Sequence, residues 1–220
     1  MSHHYTDTPF DSMTEAMIHH FPNANSGKAE YLGFDCETSG LIPFPWQDDP
    51  FPGLMEIGMV AFDKNFQPII GFSSPVVTPE AIHHRAYGLH PAAEKMHSTR
   101  RGNQPSLFEV VDSIDPSTYH AAAIEKRALS FILDNDLRGL PMLGSSITFD
   151  REILRAQMPH LLDAFHYQSV DATSYYLVVK KTLEKANAIY SGKETDHRVI
   201  SDILDSADLV ERALTVIQAG

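Results

Sequence analysis

Asp35 and Glu37 stand two positions apart at the end of the apolar stretch that begins at Tyr31. On an extended strand successive side chains point to opposite faces, so the two carboxylates project from one face and Cys36 from the other. They converge on one point. Thr38, Ser39 and Gly40 follow, placing the pair at the carboxyl end of its strand, where open α/β sheets keep their ligands. Alone, an Asp-x-Glu-Thr tetrapeptide is a weak signal, and an acidic turn after a strand reads the same way. Asp150 opens a helical segment, where the helix dipole also favours a first-turn aspartate. Asp202 lies in the first turns of the last helical segment, five residues after His197, and Asp205 and Asp208 continue an acidic row like that of a solvated face. The ordered combination of a strand Asp-x-Glu, a helix Asp and a His-x-x-x-x-Asp is much rarer than its parts.

These residues need a sheet and helices to bring them together. Tyr31 to Cys36, Leu54 to Phe62 and Ile69 to Val77 read as buried strands punctuated by Gly and Pro. Pro141 to Gly144 is a further short apolar piece. Ser117 and Thr118 precede an alanine-rich run through Ile124, Ala128, Phe131 and Ile132, helical in spacing with a hydroxyl N-cap. Asp150 to Met158 reads as a helix stopped by Pro159, and Ala172 to Ala188 as another. From Val199 to Ile217 the apolar residues Val199, Ile200, Ile203, Ala207, Val210, Leu214 and Ile217 form a stripe of helical period. Residues 1–28 read as an N-terminal tail with at most a short helix near Ser12 to His20, and residues 29–220 as one domain. The loop 41–53, with four prolines and the rings of Phe44, Trp46 and Phe51, either folds its rings back onto the domain or offers them to a base.

Composition narrows the chemistry. No stretch approaches the roughly 18 apolar residues of a membrane helix, so no membrane partner is expected. One cysteine excludes an intramolecular disulfide framework and fits a reducing, cytoplasmic setting. The formal net charge of −12 has the wrong sign for gripping many phosphates along a duplex. A nucleic-acid substrate should then be short, or held mainly through metal ions. Twelve histidines offer no convincing zinc ligand set, and Asp171, in Asp-Ala-Thr-Ser before a helical run, reads as an N-cap.

The stretches Phe34-Asp35-Cys36-Glu37-Thr38-Ser39-Gly40-Leu41, Glu56-Ile57-Gly58, Gly144-Ser145-Ser146-Ile147 through Asp150-Arg151, and Asp196-His197 through Asp202-Ile203 carry a resemblance. Over Tyr31 to Leu214 the sequence resembles the DEDDh exonucleases of the ribonuclease H-like fold, and within them the oligoribonucleases, to which Phe165 through Asp171 adds. The resemblance implies an α/β fold, a mixed sheet of about five strands with helices on both faces. It implies that Asp35, Glu37, Asp150 and Asp202 hold two divalent cations, Mg2+ or Mn2+, which suit hard carboxylate oxygens, with His197 as general base. Thr38, Leu41, Ser146, Phe149 and Tyr167 become the substrate contacts: Leu41 a wedge against a base, Ser146 a polar contact, and Tyr167 a stacking ring offered across a homodimer interface. The partner implied is short single-stranded RNA, or alternatively DNA, with a free 3′ end.

Two positions depart from the family pattern. Phe149 stands where the family has glutamine, and Gln168 where it has the arginine that caps the substrate's 5′ phosphate. A strict preference for dinucleotides is therefore not implied. A proofreading- or repair-type DNA exonuclease is the alternative, and an inactive nucleic-acid-binding module the third reading.

Overall fold

The computed structural model describes residues 17–21, 27–43, 50–87, 91–100, 105–182 and 198–218. Its centre is a six-stranded mixed sheet of β1 (Met17–His20), β2 (Tyr31–Thr38), β3 (Leu54–Phe62), β4 (Pro68–Pro75), β5 (Met142–Gly144) and β6 (Ser169–Asp171), in the order β1-β4-β3-β2-β5-β6. β1, β4, β3 and β2 pair antiparallel, while β5 and β6 continue the sheet parallel to β2. Strand β2 lies inside the sheet: β5 flanks its start at Leu32 and Gly33, and among the described residues its carboxyl end pairs with β3 alone.

Both faces are covered. All nine residues of β3 are buried, which is why its sequence runs almost continuously apolar instead of alternating. On one face Leu32, Phe34, Cys36, Ile57, Met59 and Met142 pack against α3 (Leu107–Ser113), α5 (Ala121–Asp134), α6 (Thr148–Gln157) and the short α7 (Pro159–Leu162). On the other, Val60, Phe62 and Leu143 meet Val199, Ile200, Ile203 and Ala207 of α9 (Val199–Gln218). The α9 stripe sits so close to the sheet that a Cβ at Gly33 would lie 2.4 Å from Ile203 and one at Gly58 2.6 Å from Val199. Only glycine admits the helix there. The helix α8 (Ala172–Thr182) packs beside α9, with Val179 and Ala213 between them.

The sheet has one strand more than expected, and the N-terminal reading is corrected in part. Met17–His20 is an edge strand of the sheet, not the end of a tail helix; residues 12–16 lie outside the described residues. Four residues cannot sustain a helix on their own, whereas the open edge of β4 satisfies their backbone groups and Ser73 Oγ lies 2.8 Å from His19 Nε2. The alanine-rich helix is also capped differently. Asp115 caps α4 (Pro116–Tyr119), taking hydrogen bonds from the Ser117 and Thr118 hydroxyls, and His120 caps α5. Helices α1 (Pro79–Tyr87) and α2 (Pro91–Ser98) complete the described elements.

Candidate active site

Alternation along β2 turns Asp35 and Glu37 toward α9, while Leu32, Phe34 and Cys36 enter the opposite core. Asp202 comes down onto them from the first turn of α9. One carboxylate oxygen from each of Asp35, Glu37 and Asp202 lies within 4.8 Å of the others. Three carboxylates so close, one of them buried and two half-buried, are a hard-oxygen donor set of the kind that takes a divalent cation.

Asp150 reaches the same strand end from α6. It is buried, and Cys36 Sγ donates to its Oδ1 at 3.2 Å, so the residue between the two strand carboxylates ties the third element to them. The helix start that carries Asp150 is preceded by Ser146, whose φ of 56° is left-handed. Asp171 Oδ1 accepts the amide N–H of Ser146 at 3.2 Å and that of Thr173 at 2.9 Å, so one carboxylate caps α8 and holds the strained turn.

Electrostatics are those of a site short of positive charge. Burial pushes the carboxyls of Asp35 and Glu37 well above the usual carboxylate range. Asp150 and Asp202 reinforce this at Asp35, and Asp35 and Asp202 at Glu37, where Arg198 pulls the other way. Burial raises Asp150 to about 7 against the hydrogen bonds it accepts. A divalent cation would favour the ionised form of all of them.

A stability consequence follows from Asp150. With a value of 3.8 unfolded and about 7 folded, the native state holds the extra proton between those limits, so metal-free stability is lost as pH rises through that window. The gap corresponds to at most about 4 kcal/mol. In EDTA the Tm should fall between about pH 4 and pH 7, Asp150→Asn should flatten the fall, and Mn2+ should reverse it at the upper end. A Tm in EDTA that climbs over that range would contradict the assignment.

The remaining sequence-derived positions are placed as follows. Thr38 is buried, its Oγ1 donating to the Gly40 carbonyl at 2.7 Å and its own carbonyl accepting from His97 Nε2 at 3.0 Å. Leu41 and Tyr167 are 68% and 81% exposed, so neither is an ordinary core residue. Ser146 does not cap α6, whose N-cap is Ile147 without a side-chain bond. Phe149 is half-buried against the main core. His197 lies outside the described residues.

Sequence reasoning missed Glu56 and Arg198 as site neighbours. Glu56 is the direct cross-strand partner of Glu37, is buried, and is held by Arg198, whose Nε donates to Oε2 at 2.9 Å. A lone glutamate inside an otherwise apolar buried strand was the available signal, because such a charge needs a partner. His97, with Nε2 3.7 Å from Glu37 Oε2, was likewise not singled out.

No family model matches the chain. Among curated proteins it is similar to the oligoribonuclease of Dichelobacter nodosus, 30% identical over 182 residues, covering 82% of this chain and 91% of that one. The oligoribonuclease of Leifsonia xyli subsp. xyli is 27% identical over 191 residues, 84% of each chain. Among solved structures, the nuclease domain of 3′hExo, a DEDDh family member bound to rAMP, aligns with a TM-score of 0.50 at 11% identity, over 89% of this chain and 96% of that one. Exonuclease I from Methylocaldum szegediense aligns with a TM-score of 0.52 at 14% identity, over 86% of this chain, which spans 42% of that larger one. These two likenesses bear on the fold, and the curated relatives on the family. The chain belongs to the oligoribonuclease family, metal-dependent 3′-to-5′ exonucleases.

Proposed function

We propose that this protein is a 3′-to-5′ exoribonuclease that hydrolyses short RNA oligonucleotides to nucleoside 5′-monophosphates. The observation that carries the reading is the meeting of Asp35, Glu37 and Asp202 within 4.8 Å at the end of the central strand. Asp150 lies outside that group of three but is tied to the same strand by Cys36, and we assign it as the fourth ligand. Two divalent cations, Mg2+ or Mn2+, held by these four carboxylates would activate a water and stabilise the oxygen leaving phosphorus.

The protein's own part is to hold and to move a proton. Asp35 and Glu37 ride on a strand inside the sheet, and Asp150 and Asp202 on first helical turns, so regular elements position the donor set before substrate arrives. His197 is the general base: a neutral imidazole takes the water's proton. The water oxygen bonds to phosphorus, the 3′ oxygen of the penultimate nucleotide leaves, and the terminal nucleotide departs with its phosphate at the 5′ position. Leu41 and Tyr167 are exposed apolar groups available to bases, with Thr38, Ser146 and Phe149 as the further contacts. Tyr167 acts across a homodimer interface, which a monomer by light scattering would contradict. We place the protein in the cytoplasm, for which cell fractionation is the check.

The net charge of −12 favours short substrates, which need few phosphate contacts. Gln168, uncharged where the family carries an arginine, favours the second reading, an exonuclease tolerant of longer chains or of DNA. Rates on RNA of two, five and about twenty nucleotides beside matched DNA separate the two. Turnover concentrated on the shortest RNA supports the first reading, and equal turnover of long single-stranded DNA replaces it with the second.

A further inference from the structure

Glu56 stands directly opposite Glu37 on the neighbouring strand, and both are buried. Like charges at directly opposed positions repel, and a buried carboxylate needs a partner. Arg198 provides one as a two-pronged fork, Nε to Oε2 at 2.9 Å and Nη2 to Oε1 at 2.5 Å. Such a fork fixes direction as well as charge, because the guanidinium plane must align with the carboxylate.

Arg198 is also where α9 begins. Its carbonyl accepts the amide of Asp202 at 3.1 Å, closing the first helical turn. The next residue, Val199, rests on Gly58, where a Cβ would come within 2.6 Å of it. Strand β3 therefore grips the first turn of α9 at two points two residues apart, Glu56 and Gly58, and Asp202 rides on that turn. We propose that Glu56 and Arg198 are positioning residues: their fork sets the docking of α9 so that Asp202 meets Asp35 and Glu37. The inference rests on the reading of those three carboxylates as holders of divalent cations.

Two roles for the fork predict opposite signs. If Arg198 only balanced charge, Arg198→Met would remove a cation beside the carboxylates and leave Mn2+ binding unchanged or tighter. If it positions α9, the same variant binds Mn2+ more weakly, because Asp202 is no longer held to the group. Calorimetric titration of the full chain with Mn2+ alone reads this directly. Arg198→Met is expected to bind at least about tenfold more weakly, the range found when groups that orient metal ligands are removed. The double variant Glu56→Gln with Arg198→Met restores local neutrality without the fork. Neutral replacement of a buried ion pair is commonly tolerated by the fold, so this variant guards against an unfolded single variant. It should remain as weak as Arg198→Met. Wild-type affinity in the double variant, or unchanged or tighter binding in Arg198→Met, overturns the proposal. Asp35→Asn separates the two levels of the argument: if it binds Mn2+ as the wild type does, the carboxylate site itself is wrong and the clamp falls with it.

Discussion

Asp35→Asn is expected to lower kcat on short RNA by about 10³-fold or more while leaving the protein folded. Asp35 is central to the group: its oxygen lies within 4.8 Å of those of both Glu37 and Asp202, and the charge of Asp150 also bears on it. Losing its charge should forfeit several kcal/mol of transition-state stabilisation, at about 1.36 kcal/mol per tenfold in rate. The same change should raise the Tm in EDTA, because a half-buried carboxylate repelled by its neighbours is neutralised without change of shape. This pairing of lost activity with gained metal-free stability marks a functional site, since a residue serving only the fold would lose both. Activity within tenfold of wild type would remove Asp35 from the reaction.

The second large effect is at His197. His197→Ala should cost about 10²- to 10⁴-fold in kcat, the usual contribution of a positioned general base. Mn2+ affinity should stay at the wild-type value, because the imidazole is assigned to the proton and not to the ions. In the wild type the rate should rise with pH as the base loses its proton, and the variant should lack that rise. A variant that keeps its rate, or loses metal binding along with it, would contradict the assignment.

How much of this was legible from residues alone varies with the physics. The Asp35–Glu37 pair was readable because strand alternation is strict, and the meeting with Asp202 was readable only through the order of motifs. The α9 stripe was legible as far as Val210, since a helix pressed on a sheet must show an apolar row; its last member, Ile217, is 46% exposed because the helix has run past the sheet by then. Edge strand β1 was not legible. Met17–His20 owes its extended form to the free edge of β4, a tertiary partner that leaves no local trace. Helices α1 to α3 were not assigned, for in α1 and α2 short, polar, histidine-bearing segments show no clear period. Within the site, the bond from Cys36 to Asp150 joins residues 114 positions apart, and no spacing rule reaches that far.

On the proposed reading, this carboxylate cluster releases mononucleotides from the 3′ end of short RNA in a metal-dependent way. The most direct measurement is the product profile of a 5′-labelled RNA of about five nucleotides incubated with the full chain, with Mn2+ or with EDTA. The expected result is a ladder shortening one nucleotide at a time from the 3′ end, with nucleoside 5′-monophosphates as product and no change in EDTA. Internal cuts, equal cleavage in EDTA, or intact RNA in the presence of Mn2+ would contradict it.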